Sequence, residues 1–455
     1  MENNTASKND QVMGTVETEN NSNSYITKKD IESLGIKVRL SDTDESTNLE
    51  LYCYTSCTDE DSILLKKCRG VVFQKDKLIM NAFPYTYEFS HVDTEKIETY
   101  IKPIFNNCLF FDSHEGTLLR LFYFETKWFI STHRKLNAFK SKWASSESFG
   151  TTFKKALEKE VDRNIEFKNV LSSDTDTDKN ILEKFTDFLD KDKQYMFLIE
   201  PCVENRIVCQ INNDPFIYHV GTFVNGVLDM NVDCKIKHPK QHYFNNIEEI
   251  CNYVNNINYK ELQGIICFTP DNFQYKIINN TYLDFFKIRG NEPSLRFRYL
   301  NIRLDQEKTN KLYYLYPDSI PMFEEIENSI YNLAKYIYNS YVQRYIRKQF
   351  VTVPTEDFFV IRACHSWHEI DRINNRISLN KVIEELNKQT PTNINRMLRR
   401  IKNEQNMNTN NTNNNTNNTN NNTNNTTTNT MFFKNKKSIF NKHILNNNNN
   451  NMEID

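Results

Sequence analysis

Apolar residues in the N-terminal part of this chain gather into short runs separated by polar turns, and further on they take helical spacing. The clearest pair of runs is Leu118 to Phe124 and Trp128 to Ile130, flanking the polar hinge Glu125-Thr126-Lys127. Aromatic-rich runs joined by a short polar loop predict a β-hairpin. Gly116 stands just before the first run, where a glycine marks a bulge or a close approach of the backbone to a ligand. Ile26 to Phe89 mixes β-like runs with turns, and Tyr195 to Val208 reads as a buried strand, a turn and a second strand. Ser148 to Leu189 predicts mostly helix, broken by an acidic loop from Ser172 to Asp178. Ile330, Leu333, Ala334, Ile337 and Tyr341 recur at amphipathic helical spacing over Asn328 to Lys348. The helical pattern then runs to Lys402, with breaks around Pro354 and Pro391.

Residues 1 to 24 are polar and aperiodic, which predicts a disordered arm. From Asn403 the chain is Asn and Thr almost without apolar residues until Met431-Phe432-Phe433. Such a tract buries too little area to offset its ordering entropy, so a disordered tail is expected. With 31 Phe and 23 Tyr a sizeable core is available, and the net charge of −2 excludes a global basic field. Contact with a polyanion must come from a local patch. One candidate is His133, Arg134, Lys135, Phe139, Lys140, Lys142 and Trp143. That interleaving of basic and aromatic residues suits a nucleic-acid backbone with stacked bases, and equally a solvated helix face with a buried aromatic edge.

Ten cysteines at irregular spacing, a polar start and no apolar run of about 20 residues point to reduced thiols in a cytoplasmic-type compartment and to no membrane partner. In that setting the Asn-x-Thr triplets of the tail follow from Asn-richness rather than glycosylation. The Asp-rich loop lacks the glycine and closing glutamate of a calcium site. Cys364, His365 and His368 have no fourth ligand nearby, so they read as structural, and no metal site is expected.

Ser113-His114-Glu115-Gly116-Thr117 resembles the opening motif of covalent nucleotidyltransferases, especially RNA ligases of the phage type. That motif is Lys-x-Asp-Gly-(Ser/Thr), and its lysine attacks the α-phosphate of ATP and carries AMP as a phosphoramidate. Here the glycine and the hydroxyl residue are kept, the Asp is Glu115, and the nucleophilic lysine is Ser113. Upstream, Cys68-Arg69-Gly70-Val71-Val72-Phe73 and Asn81 to Tyr85 resemble the strand and segment that precede the motif, which implies that Arg69 reaches nucleotide phosphate. Downstream, Glu200 with Asn205-Arg206-Ile207-Val208 resembles the middle motif, one residue shorter than expected between Glu and Asn. Gln263-Gly264 stands where a Glu-Gly is expected, and Lys276 begins a Lys-x-Lys motif whose second lysine is Ile278, followed at fitting distance by Tyr282. Ile288 to Arg303, with four arginines, has no counterpart in phage ligases and is similar to segments of uncharacterised proteins of large DNA viruses.

The resemblance implies an α+β fold: an RNA ligase-like nucleotidyltransferase core of antiparallel sheets around a nucleotide cleft, with a helical C-terminal domain. The expected layout is an arm over 1–24, the core over 25–303, helices over 304–402 and the tail over 403–455. Lysine nucleotidyl transfer requires an amine of lowered pKa, cations on the phosphates and carboxylates for a divalent metal. Arg69 and Lys276 supply cations, Glu115 and Glu200 supply carboxylates, and Gly116 and Gln263 complete the nucleotide-binding set. Ser113 cannot form the phosphoramidate, Gln263 cannot replace an anionic ligand, and Ile278 removes a charge. If Ser113 and Glu115 face the cleft along an extended segment, His114 faces away; a one-residue shift brings His114 in and loses Glu115. The leading expectation is a catalytically degenerate ligase-like protein binding nucleotide or RNA ends. An active ATP-dependent ligase with a displaced nucleophile, using ATP and Mg, and a virion or structural protein that kept only the fold are the alternatives. A degenerate protein requires neither ATP nor Mg. The setting implied is an infected host cell or a virion.

Overall fold

The structure, a computed structural model, describes residues 26–172, 178–200, 205–210 and 214–415, with side chains to residue 403. The expected N-terminal arm and most of the acidic loop lie outside these residues, as does the tail beyond Asn415. The helix Pro391–Asn415 runs on into the Asn-rich tract, since it continues an amphipathic segment. The chain forms two compact units, Met1–Asn395 and Arg396–Asp455; in the second, the described residues are helical.

Among the described residues fourteen strands build three sheets. In chain order, β1 (Val38–Asp44), β2 (Leu49–Tyr54), β3 (Arg69–Gln74) and β4 (Lys77–Met80) form an antiparallel meander. There follow β5 (Thr86–Ser90), β6 (Leu109–Ser113), β7 (Thr117–Phe124), β8 (Lys127–Ser131) and β9 (Lys193–Ile199). The last are β10 (Ile217–Val224), β11 (Val227–Asp229), β12 (Gln241–His242), β13 (Gly264–Phe268) and β14 (Gln274–Ile278). The second sheet has the order β11-β10-β9-β7-β8 and the third β12-β6-β13-β14-β5. All pairings are antiparallel except β14 with β5. After β14 the described residues are helical or irregular, which gives the mixed α+β architecture with a helical C-terminal region.

The hairpin read from the apolar pattern is β7–β8, with Glu125 at a left-handed φ of 55°. Lys127 pairs with Phe124, so the turn is Glu125-Thr126 and the hinge is one residue shorter than expected. Of the second strand expected within Tyr195 to Val208, residues 201–204 lie outside the described residues and 205–208 are irregular; β9 pairs with β10, further along the chain. Its place between β7 and β10 satisfies the backbone of β9 on both edges.

Alternation along the central strands sets the layering. Leu119, Leu121, Tyr195, Phe197 and Ile199 face a cluster with Phe153, Phe167 and Phe185 from the helices Phe149–Arg163, Ile165–Ser172 and Ile181–Phe188. Phe122 and Met196 point the other way, into a cluster with Leu51, Val72, Phe111 and Phe268 from the other two sheets and Phe83 from the stretch between β4 and β5. The outer face of the third sheet is covered by Ile97, Ile101, Ile250 and Val254 of two further helices.

The arginines of Ile288 to Arg303 are structural ties. Arg298 donates to the carbonyls of Ile288 (2.6 Å) and Lys287 (2.7 Å), closing the C-terminus of the helix Asn280–Arg289. Arg303 pairs with both oxygens of Glu327 (2.8 and 3.0 Å) and with Asn387. Cys364 is buried, His365 stacks on Tyr345 with centroids 3.8 Å apart, and His368 meets the carbonyl of Asn375 at 2.7 Å. Among the described residues no helix is long and apolar enough to cross a membrane.

Phe197 is fully enclosed among Phe153, Phe185 and Tyr195, so Phe197→Ala should cost about 3–5 kcal/mol in denaturant unfolding. His219 on β10 is fully buried with Nε2 at 2.8 Å from Thr222 Oγ1, and burial, aided by His238, holds its imidazole at about 3. The unfolded chain protonates this histidine near pH 6.5, before the folded one does. Its contribution to stability is therefore complete above about pH 6.5 and falls as pH drops toward 3, by up to about 1.4 kcal/mol per pH unit. In His219→Gln that part of the acid slope should disappear from unfolding curves taken across this range.

Candidate functional site

The chain crosses from the third sheet to the second between β6 and β7, through His114-Glu115-Gly116. A cleft of about 530 Å³ opens beside this crossing. The residues the motifs single out meet there: Arg69, Ser113, His114, Asn205, Gln263 and Lys276 all line it. Phe83, Phe111, Leu198, Ile266 and Phe268 supply an apolar floor.

Gly116 is required by a close approach to backbone. A Cβ there would lie 2.4 Å from the carbonyl oxygen of Ile199, the last residue of β9. Glu115, read from sequence as a catalytic carboxylate, is 5% exposed and both its oxygens are occupied. It accepts from the backbone amides of Ile207, Val208 (2.9 Å) and Cys209 (3.0 Å), and from the Tyr282 hydroxyl (3.1 Å). These bonds hold the segment after β9 against the crossing, and they occupy both carboxylate oxygens where Glu115 lines the cleft. Tyr282 is brought within reach because Asn279 caps the helix Asn280–Arg289 by accepting from the Tyr282 amide. Burial, with Glu115 beside it, pushes the Tyr282 hydroxyl well up, so it stays a donor.

Gln263 is the hub of the cleft floor. Its Oε1 accepts from Lys276 Nζ (3.1 Å) and from Ser113 Oγ (3.2 Å), and its Nε2 donates to the Tyr282 hydroxyl (2.8 Å). The amide suits the place: a carboxylate would accept from Tyr282 and compete with Glu115 for the single phenolic proton. Lys276 also lies 3.4 Å from Glu88. Ser113 is 2% exposed, and its hydroxyl meets an amide oxygen rather than a base, so nothing activates it as a nucleophile. Ile278, at the second lysine position of the expected motif, is buried in β14.

Arg69 leaves β3 to donate to Thr86 Oγ1 (2.9 Å) and the carbonyl of Pro84 (3.3 Å). Behind it Arg120 of β7 is 1% exposed and donates to the carbonyls of Gly70 and Thr132, the latter at 2.7 Å. Burial lowers its guanidinium to about 10. Gly70 has a φ of 86°, and a Cβ there would lie 2.7 Å from His133 Cα, so β3 and the turn after β8 can meet only through glycine. The stretch from Thr132 to Trp143 contains only a short turn at Ala138–Lys140 rather than a long helix, and it puts His133, Arg134, Lys142 and Trp143 on the cleft wall. Arg120 was missed in the sequence because a lone arginine inside an apolar run has no signature there.

His114 also lines the cleft, where strict alternation would turn it away. β6 ends at Ser113, so the two-residue period does not extend past it. The ring is stacked on Tyr218 (centroids 4.4 Å, 24° between planes), and Nδ1 lies 3.3 Å from Glu200 Oε1. Burial and then Glu200 push the Tyr218 hydroxyl up. Arg206 is directed elsewhere, donating to the carbonyl of Leu315 (2.7 Å) over the ring of Tyr316.

The donor set fits phosphate better than a divalent cation. Arg69, Arg134, Lys142 and Lys276 present positive charge to the cleft. Of the carboxylates expected for a metal, Glu115 lines the cleft with its oxygens taken up by backbone amides, and Glu200 faces His114; Gln263 is neutral. Among the described residues no three His, Cys, Asp or Glu side chains converge.

No family model matches the chain. It is similar to the immediate-early protein ICP-46 homologue of Invertebrate iridescent virus 6, with 32% identity over 343 residues, covering 71% of this chain and 72% of that protein. The homologue in Invertebrate iridescent virus 3 is 28% identical over 365 residues, 78% of each chain. The ICP-46 protein of Frog virus 3 is 24% identical over 252 residues, 53% of this chain and 60% of that one. Among solved structures it is similar to a putative ATP-dependent DNA ligase from Aquifex aeolicus (TM-score 0.34, 12% identity, 64% of this chain and 76% of that one). It is also similar to a Naegleria gruberi RNA ligase with PPi (TM-score 0.28, 12% identity, 42% and 56%).

Removing the Glu115 carboxylate should unfold the crossing rather than merely slow a reaction. Glu115→Ala leaves buried amides unpaired and should cost on the order of 3 kcal/mol, with Tyr282→Phe costing about 1 kcal/mol. Urea unfolding of both variants checks this, and a Glu115→Ala protein as stable as the parent would refute the assignment.

Proposed function

The chain belongs to the family of the immediate-early protein ICP-46 of iridescent viruses, and we propose that it is a ligase-like nucleotide-binding protein from which the lysine adenylation route has been lost. The observation that carries this reading is convergence. Segments far apart in sequence, recognised only by their order and residue types, line a single cleft with Arg69, Lys276 and Gln263 around the end of β6. At that end the side chain is a buried serine hydroxyl without a base. The ligand is a nucleoside triphosphate or the phosphorylated end of an RNA strand. Arg69 and Lys276 contact its phosphates, and the strip from Thr132 to Trp143 borders the path of a strand. The setting is an infected host cell, and the free thiols among the described cysteines suit a reducing compartment.

A ligand that binds only the folded state stabilises it by about 2.7 kcal/mol at a hundredfold excess over Kd. Thermal unfolding with ATP and, separately, with a 5′-phosphorylated RNA oligonucleotide should therefore show a rise of several degrees. Arg69→Ala and Lys276→Ala should each weaken binding at least about tenfold, the loss of one charge-assisted contact. No shift with either ligand would refute the reading. No AMP should be found on a lysine.

A further inference from the structure

The residue next to the lost nucleophile carries what Ser113 lacks. His114 leaves the end of β6 and lies in the wall of the cleft that Arg69 and Lys276 also line. Its Nδ1 faces Glu200 Oε1 at 3.3 Å, and its ring is stacked on Tyr218. Both supports are rigid. Glu200 directly follows β9, its amide bonded to the carbonyl of Phe216 at 3.0 Å, and Tyr218 sits opposite Leu198 in the β9–β10 ladder. Nε2 has no hydrogen-bond partner among the described residues. A carboxylate on Nδ1–H selects the tautomer whose lone pair is on Nε2. The arrangement is a carboxylate–histidine dyad with its nucleophilic nitrogen left open, in a cleft with cations for phosphate.

We propose that His114 is the covalent nucleotidyl acceptor of this cleft and that Glu200 is its positioning residue. The inference rests on the nucleotide-binding reading above. In the step, the Nε2 lone pair attacks the α-phosphorus of a nucleoside triphosphate. The Nε2–P bond forms, the bond from the α-phosphorus to the bridging oxygen breaks, and pyrophosphate leaves with that electron pair. No proton need be lost from His114: the positive charge that develops on the ring is shared with Nδ1–H and met by the Glu200 carboxylate. Arg69 and Lys276 offset the charge on the departing pyrophosphate. The nucleotidyl group is then available to a phosphate end or to water. The same turn of the chain that buries Glu115 brings His114 in.

The test is incubation of the full-length protein with ATP labelled at the α-phosphate, with magnesium and separately with manganese, followed by denaturation and peptide mapping. The expected result is a label on His114 that survives alkali and is lost in mild acid. His114→Gln should lose the label. Glu200→Gln should label at least tenfold more slowly and Glu200→Asp less so, a ranking by charge that a merely structural role would not produce. Mapping on the unsubstituted protein keeps the test valid even where a variant fails to fold. ATP protection without label, or a label mapped to a lysine, overturns the inference and leaves nucleotide binding standing. Neither protection nor label overturns both.

Discussion

The rest of the cleft depends on one buried carboxylate. Glu115 gathers the amides of Ile207 to Cys209 and the hydroxyl of Tyr282, and so joins three parts of the chain at the point where it passes from one sheet to the other. A carboxylate enclosed this deeply would be costly if left unpaired, and here every contact is a donor. The bonds therefore do two things together: they neutralise the cost of burial and they fix the distance between the sheets that flank the cleft. Gly116 makes the same crossing sterically allowed, since any side chain there would collide with the end of β9.

This crossing redistributes chemistry between neighbouring residues. In an extended strand Ser113 and Glu115 would share a face and His114 would lie opposite. Because β6 stops at Ser113, Glu115 turns into the protein and His114 turns toward Glu200 and Tyr218. The serine is tied to Gln263, whose amide passes hydrogen bonds from Lys276 toward Tyr282 and Glu115. Glutamine at 263 and glutamate at 115 are thus two parts of one network with a consistent direction of donors.

The electrostatics of the cleft are local. The chain as a whole is close to neutral, yet Arg69, Arg134, Lys142 and Lys276 share one cavity, with Arg120 buried behind them against backbone carbonyls. Arg120 tightens β3 against the turn after β8, and that contact carries Arg69 and Arg134 toward the same opening. A cationic wall of this kind suits a phosphate group, which forms charge-assisted bonds with guanidinium and ammonium donors.

Much of the architecture could be read from local pattern, because strands, hairpin and helices follow from the spacing of apolar residues and from turn and cap residues at their ends. The β7–β8 hairpin, the helices after β8 and the helix around Ile330 to Tyr341 are of this kind. The order of the motif segments, and the absence of a lysine at Ser113, were equally plain. What the sequence alone left open was partnership: that backbone amides take up Glu115 while His114 meets Glu200, what Gln263 bonds to, and why Arg120 sits within an apolar strand. Those answers come from hydrogen bonds across 92 residues between Glu115 and Ile207 and 167 residues between Glu115 and Tyr282. Local propensity is a property of neighbours along the chain. A buried polar group, in contrast, is satisfied by whatever donor the folded sheets bring to it, so only the tertiary structure decides which side chains are used up in holding the site and which remain to act in it.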